Sequence, residues 1–523
     1  MDENSLSQKI IRNTFFNIIG RAWGMLVSFL LTPYIIRSLG LERFGIWAVV
    51  TILTTYYGLL DFGLGASFIK YISEFHAKNE RDKINQVVNT GFILYSFLAI
   101  AIIGVSVFSR RFLLDSFNIP SYLQSEAWFV LCTGIIIFVA SNAFGPFVSL
   151  QGGLQRMDIS NRIAIGISLP YIVGTLFFLK NGYGLPGLMV NNCLIFVLQS
   201  VINIAVAFKI FPGLRLHSCH FSKDIAKKLL GFGFRMQLAR LSGVVTAQTD
   251  KILIACFLSL SLVTFYQLGS SIVFYALSIS GLFVSALMPA FSEIEARGER
   301  LKLIDAYLLT TKYLSFLVVP LFILLILSPF YIMTAWMGRG YEKSGVIIQI
   351  LAAGYLANTI AQIASSVCAA IDRPQLLAAA STMIIVLNIG LSLIFVNIFG
   401  FLGVAWGTMI AVNLGTMYFF FQVNKALGIS QKKLIKVTLP YLATGIFCAL
   451  AVYSVDIAAH KIFLTSSRPL ALGAFTARSV LFLIAYVACA RYLKLLDEND
   501  MLLFKQKFPF ANRVLSKICK VKI

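Results

Sequence analysis

The chain has 523 residues, of which 58% are hydrophobic and only 13% charged, against the roughly 25% charged of an ordinary soluble domain. So few polar groups cannot cover a surface in water, which excludes a soluble enzyme, a disordered scaffold and a secreted disulfide module. The formal net charge of +22 arises from 44 Lys and Arg against 22 Asp and Glu, but the charges sit in short connectors between apolar runs, the pattern of membrane topology and not of a nucleic-acid binder.

A spanning helix needs about 20 mostly apolar residues, because lipid offers its backbone no hydrogen-bond partner. Fourteen such runs are predicted, over residues 13–38, 44–70, 86–108, 126–150, 157–179, 185–208, 229–257, 262–291, 306–336, 344–371, 375–398, 402–424, 434–456 and 469–492. The expected fold class is therefore an all-α integral membrane protein with about 14 transmembrane helices. The first run is too long for a cleaved signal peptide and lacks a small-residue cleavage site. The largest connectors, about 109–125 and 209–228, are too short to fold alone. That weighs against a membrane-embedded glycosyltransferase or polymerase. Prolines 33, 146, 170, 289, 320, 329 and 440 fall within the runs, where each removes a helix hydrogen bond and produces a kink or a hinge.

With both termini inside the cell, the inner segments hold 29 Lys and Arg and the outer segments 9, as the positive-inside bias requires. The inner stretches Lys70–Lys83 and Lys223–Lys228, and the tail Lys505–Lys522, read as amphipathic helices facing anionic membrane lipids. The chain carries no recognisable catalytic motif. The eight Cys have no CxxC spacing, the cluster His217-Ser218-Cys219-His220 lacks a second ligand group, and no GxSxG, HExxH or phosphate-binding GxxxxGK[ST] occurs. No enzyme, metal site or cofactor is expected. The pairs Gly20/Gly24 and Gly403/Gly407 fit close helix packing.

Charges inside the runs carry more information, since each is costly unless paired or wetted. The basic set is Arg21, Arg235, Arg240, Lys251, Lys312 and Arg478, and the acidic set is Asp61 and Asp250. This positive excess predicts a water-filled cavity for an anionic ligand. Lys312 and Arg235 lie near the inner face, where they can snorkel; Arg21, Arg240 and Arg478 lie deeper. Pairing Trp47 with Tyr266 gives an internal offset of 219 residues that carries Arg21 onto Arg240. Six runs per repeat is even, so the halves insert the same way round with a site between them. Arg21 and Asp61 flank the first turn at equal distance and are expected to form a salt bridge. The position matching Asp61 beside Arg240 is Ser280, which has no charge. Arg240 is thus the foremost candidate for a ligand contact, and Asp61 and Asp250 are the candidates for charge pairing or ion coupling.

Several stretches carry a family resemblance: Leu39-Gly40-Leu41-Glu42-Arg43-Phe44-Gly45-Ile46-Trp47, Leu59-Leu60-Asp61-Phe62-Gly63-Leu64-Gly65, Gln151-Gly152-Gly153-Leu154-Gln155-Arg156-Met157-Asp158, Leu287-Met288-Pro289-Ala290-Phe291-Ser292-Glu293, and Asn388 through Gly407. In these the chain resembles the polysaccharide-type flippases of the multidrug/oligosaccharidyl-lipid/polysaccharide exporter superfamily, the group containing O-antigen-unit translocases. The resemblance implies two six-helix lobes in a V, here residues 1–208 and 229–424, with a cytoplasmic linker at 209–228. Residues 425–523 would add two helices and a basic tail. It further implies a central cationic cavity and alternating access, often coupled to H+ or Na+. The substrate would be a polyprenyl-diphosphate-linked oligosaccharide carried from the inner to the outer leaflet of the bacterial cytoplasmic membrane.

Arg240, Arg21, Arg235, Lys312 and Arg478 would then meet the diphosphate through charge-assisted bonds, and side chains such as Asn17, Trp23, Gln237, Gln248 and Tyr275 would meet sugars. Polysaccharide polymerase and glycosyltransferases are the expected protein partners. Two rival readings are a multidrug efflux antiporter of the same superfamily, which favours cavity carboxylates and about twelve spans, and a non-transporting assembly partner of glycan enzymes.

Overall fold

The computed structural model describes residues 3–108, 115–216, 221–285, 287–457 and 467–495. The tail Lys505–Lys522 and the cluster His217–His220 lie outside the described residues. Among the described residues every regular element is helical, with nineteen α-helices. The first nine are α1 (Glu3–Leu39), α2 (Leu41–Tyr57), α3 (Leu64–Ala77), α4 (Arg81–Phe108), α5 (Gln124–Ala143), α6 (Gly145–Gly153), α7 (Met157–Lys180), α8 (Gly184–Ile210) and α9 (Lys223–Phe257). The remainder are α10 (Leu260–Ser285), α11 (Leu287–Ala296), α12 (Arg300–Leu327), α13 (Pro329–Trp336), α14 (Glu342–Ile360), α15 (Gln362–Ala370), α16 (Pro374–Phe399), α17 (Phe401–Leu427), α18 (Gln431–Ile457) and α19 (Arg468–Tyr492).

Thirteen segments among the described residues are long and apolar enough to cross a membrane. They match thirteen of the fourteen expected runs. The other run, 229–257, lies within α9, whose 35 residues extend ~52 Å at 1.5 Å per residue and exceed any bilayer core. It falls short in apolarity because Arg235, Arg240, Asp250 and Lys251 all sit on it. The most polar long helix is thus the one on which the candidate site concentrates.

Among the described residues, four expected runs are broken into two pieces, 344–371 among them at Ala361. Run 44–70 ends at the 3-10 turn Gly58–Asp61 and resumes as α3. Run 126–150 stops at Phe144 before α6, which Pro146 opens, and run 306–336 stops at Ser328 before α13, which Pro329 opens. Proline is well placed in a first helical turn, where its missing N–H has no partner to lose. Pro33, Pro170, Pro320 and Pro440 instead stay inside continuous helices. The two halves share this interruption: the nine-residue helix α6 follows α5 as the nine-residue α15 follows α14.

Contacts divide the chain into two compact units, Met1–Ser271 with Ala378–Val412, and Ile272–Leu377 with Asn413–Ile523. The first is built around Phe68, Ile72, Val87, Val88, Leu150 and Leu229, all fully buried. The second centres on Tyr307, Leu314, Val318, Phe322, Ile348 and Val367; there α18 packs on α12, and α19 on α13. Outward-facing Phe97 and Ile100 are each 70% exposed, which suits lipid and would be an aggregation liability in water.

Candidate functional site

The chain break after α2 builds the first part of the site. Phe62 (φ 50) and Gly63 (φ 68) both adopt left-handed backbone, which turns the chain sharply and leaves Asp61 at the end of the 3-10 turn. Here the backbone of α9 comes into direct contact. A Cβ on Gly63 would lie 2.2 Å from the Gly233 carbonyl oxygen, and one on Gly233 2.3 Å from that of Phe62. Gln237 Nε2 donates to the carbonyls of Gly58 (3.1 Å) and Leu59 (2.9 Å), and Ser67 Oγ donates to that of Leu229 (2.8 Å). Backbone cannot yield as a side chain can, so Gly233→Ala should lower the level of folded protein in the membrane more than any phenotype at a lipid-facing position; a detergent-extraction melting assay checks it.

Asp61 is 9% exposed and accepts a hydrogen bond from the Tyr95 hydroxyl. The expected salt bridge with Arg21 does not form: Arg21 is exposed on α1 and makes no ion pair among the described residues. Depth alone does not bring side chains together. Asp61 sits on a 3-10 turn that is held against α9, while α1 is packed on α7. That second packing uses Asn161 Nδ2 to Asn17 Oδ1 (2.8 Å), Trp23 Nε1 to Ser168 Oγ (2.7 Å), and the close approach of Gly20 to Asn161. Asn17, Trp23 and Gln237 therefore each tie one segment of the unit to another. Gly403 and Gly407 similarly admit Phe395 and Ser392, whereas nothing approaches Gly24.

The second part lies further along α9. Asp250 is 2% exposed and receives three hydrogen bonds: from Tyr266 Oη on α10, Asn388 Nδ2 on α16 (3.2 Å) and Thr408 Oγ1 on α17 (2.6 Å). Asn388 Nδ2 also reaches Thr408 Oγ1 (2.8 Å), while its Oδ1 is buried without a hydrogen-bond partner. The neighbouring Lys251 ammonium donates to Gln267 Oε1 (2.8 Å), and the Tyr56 hydroxyl meets Thr249 Oγ1 at 2.9 Å. Four helices thus converge on one carboxylate, which two hydroxyls and one amide N–H from three of them satisfy, as a buried charge requires. Tyr95, Tyr266, Asn388 and Thr408 were missed as site residues in the sequence. Tyr266 and Asp250 stand at equal distances from the turn at Leu258, a signal open to the same depth argument that paired Arg21 with Asp61.

Arg235 and Arg240 are placed by the helical backbone of α9, in the stretch that Gln237 fixes to the Asp61 turn. Two candidates belong to the second unit. Lys312 is half-buried on α12. Arg478, 8% exposed, places its guanidinium over the Tyr331 ring, 5.3 Å from the centroid, as part of the packing of α19 on α13. Ser280 donates to the Ala276 carbonyl of its own helix.

The fold has close counterparts among solved structures. Lipid II flippase MurJ in an inward closed conformation aligns with a TM-score of 0.68 and 17% identity, over 92% of this chain and 99% of that one. An inward-facing multidrug resistance MATE family transporter of the MOP superfamily aligns with a TM-score of 0.65 and 16% identity, over 78% and 94%. The protein is a multi-pass membrane protein with the MurJ and MATE transporter fold. Residues 10–295 match the family described as polysaccharide biosynthesis protein, and the chain belongs to that family. A Shigella flexneri relative named "Putative O-antigen transporter" is 24% identical over 433 residues, 78% of this chain and 96% of its own. The "Probable low-salt glycan biosynthesis flippase Agl15" of Haloferax volcanii is 21% identical over 78% of this chain and 82% of its own.

Proposed function

We propose that the protein is a flippase that moves a polyprenyl-diphosphate-linked oligosaccharide, an O-antigen or exopolysaccharide repeat unit, from the inner to the outer leaflet of the cytoplasmic membrane. The observation that carries this reading is α9: a helix of spanning length in a polysaccharide-biosynthesis family that keeps two arginines, a lysine and an aspartate at membrane depth. Such charges mark a ligand or ion pathway by default. The diphosphate is the part of the substrate least able to cross hydrocarbon, and arginine's planar fork is suited to phosphate oxygens. Arg240 is its principal contact, with Arg235 and Arg21 adding positive potential. Two lobes, 1–208 and 229–424, alternate access, and the relatives' names support the glycan as cargo.

Transport is coupled to H+ or Na+ at Asp250, where the carboxylate and the unpartnered Asn388 Oδ1 supply the oxygens. Both termini face the cytoplasm, and the polymerase and glycosyltransferases of the same glycan act beside it. The test is reconstitution of the full chain in vesicles carrying a fluorescent polyprenyl-diphosphate oligosaccharide, with an impermeant glycosidase reporting the glycan's side. Gradient-dependent movement well above that of empty vesicles is expected. Movement of cationic dyes with none of the lipid-linked glycan would replace this reading with multidrug efflux, the activity the MATE neighbour is named for.

A further inference from the structure

A second cationic site, independent of α9's charges, lies in the first unit where three spans end. A cavity of about 810 Å³ opens there, lined by Arg81, Arg156, Lys209, His76 and Asn79 over a floor that includes Ile84 and Phe211. Arg81 begins one span, Lys209 closes another, and Arg156 immediately precedes a third, Met157–Lys180. The cavity therefore sits at the depth where helices leave the hydrocarbon, which is the depth of lipid headgroups.

The walls of this cavity are fixed. Asn79 (φ 58) and Gln155 (φ 56) close left-handed turns that bring Arg81 and Arg156 to it. Ser73 Oγ ties α3 to the Gly153 carbonyl (2.7 Å), and Asn85 clamps the chain after α8 through Gly213 O (2.9 Å) and the Arg215 amide (2.8 Å). Ile84 and Phe211 belong to the buried core of the unit. The cations also differ in how they are neutralised. Nearby Lys78 and Lys83 are matched by Glu74 (2.6 Å) and Glu80 (2.9 Å). Arg81 and Lys209 make no ion pair among the described residues, and Arg156 engages Asp158 through Nε alone at 3.3 Å. Helices α4 and α7, of 28 and 24 residues, both start here, so their positive ends add to the side-chain charge.

We propose that this cavity binds the phosphate of a lipid headgroup, with the guanidinium groups of Arg81 and Arg156 and the ammonium of Lys209 as its partners and the acyl or prenyl chain lying on the apolar surface beyond. The site stands whether or not the chain transports a lipid-linked glycan. The probes are phosphatidylglycerol, a polyprenyl diphosphate, phosphatidylcholine and inorganic phosphate, each titrated onto the delipidated full chain and followed by native mass spectrometry. The triple change Arg81→Gln, Arg156→Gln, Lys209→Gln should weaken binding of at least one of the two anionic lipids roughly a hundredfold. A control with the same loss of charge elsewhere, Lys432→Gln, Lys433→Gln, Lys436→Gln, should leave it within about threefold.

Whichever of phosphatidylglycerol and polyprenyl diphosphate loses more affinity identifies the source, a resident membrane lipid or an arriving substrate lipid. Arg156→Lys with Arg81→Lys should restore most of the binding, which a misfolded variant would not do. Equal losses in both triple variants would reduce the effect to diffuse surface charge and overturn the site. Undiminished lipid binding in the first triple variant, or binding of inorganic phosphate as tight as that of the lipids, would overturn it as well.

Discussion

Arg240→Glu is expected to abolish transport while leaving the protein in the membrane. If Arg240 meets the diphosphate as proposed, a carboxylate in place of the guanidinium repels it at the depth where the cargo loses its water. Arg240→Ala removes the attraction without adding repulsion. It should cost about 1.5–3 kcal/mol of substrate binding, the range for a hydrogen bond to a charged group, or roughly ten- to a hundredfold in affinity. Arg240→Lys keeps the charge but loses the two-pronged geometry, so it should fall between wild type and Ala.

The measurement is glycan flipping in vesicles at matched protein content, with extraction and melting behaviour recorded for all three variants. The order wild type, Lys, Ala, Glu is the expected result. Wild-type flipping by Arg240→Glu would remove Arg240 from the site. A collapse of folded protein in Arg240→Ala would make it a structural residue of α9 instead.

The spans were legible because lipid imposes a plain rule: about 20 apolar residues in helix, and nothing else. The breaks within them were only half legible. Pro146 and Pro329 mark two interruptions, but Pro33 and Pro440 sit in unbroken helices, because neighbouring helices can re-satisfy the backbone groups that proline frees. The turn at Gly58–Asp61 has no proline at all; it follows from the left-handed Phe62-Gly63 pair and the approach of Gly233, a tertiary contact that no local pattern announces. The site shows the same division. Asp250 stood out as a charge in an apolar run, but its partners Tyr266, Asn388 and Thr408 are ordinary polar residues on other helices. The Arg21–Asp61 pairing failed for a related reason. Equal depth along a hairpin constrains height, and not the direction in which a side chain leaves its helix.

Asp250→Asn is expected to separate ion coupling from folding. Three donors now point at one carboxylate: the hydroxyls of Tyr266 and Thr408 and the amide of Asn388. An asparagine presents one acceptor oxygen and an NH2 group in their place, so one donor faces another and the pocket loses about 1–3 kcal/mol. If that were all, Asn388→Ala and Thr408→Ala would lower melting temperature and transport together, and neither would alter the response to an imposed H+ or Na+ gradient. A coupling site behaves differently. An ion that binds the folded protein stabilises it in proportion to the logarithm of its concentration above the dissociation constant. The wild-type melting temperature should therefore rise with Na+, or shift with pH where the ion is a proton, and Asp250→Asn should erase that dependence. In vesicles the same variant should equilibrate lipid-linked glycan between leaflets but no longer accumulate it against a gradient. Asn388→Ala, which removes the unpartnered Oδ1, should weaken the ion response roughly tenfold in apparent affinity. Accumulation by Asp250→Asn with the wild-type response to both gradients would place coupling elsewhere and leave the cluster as a helix-packing device alone.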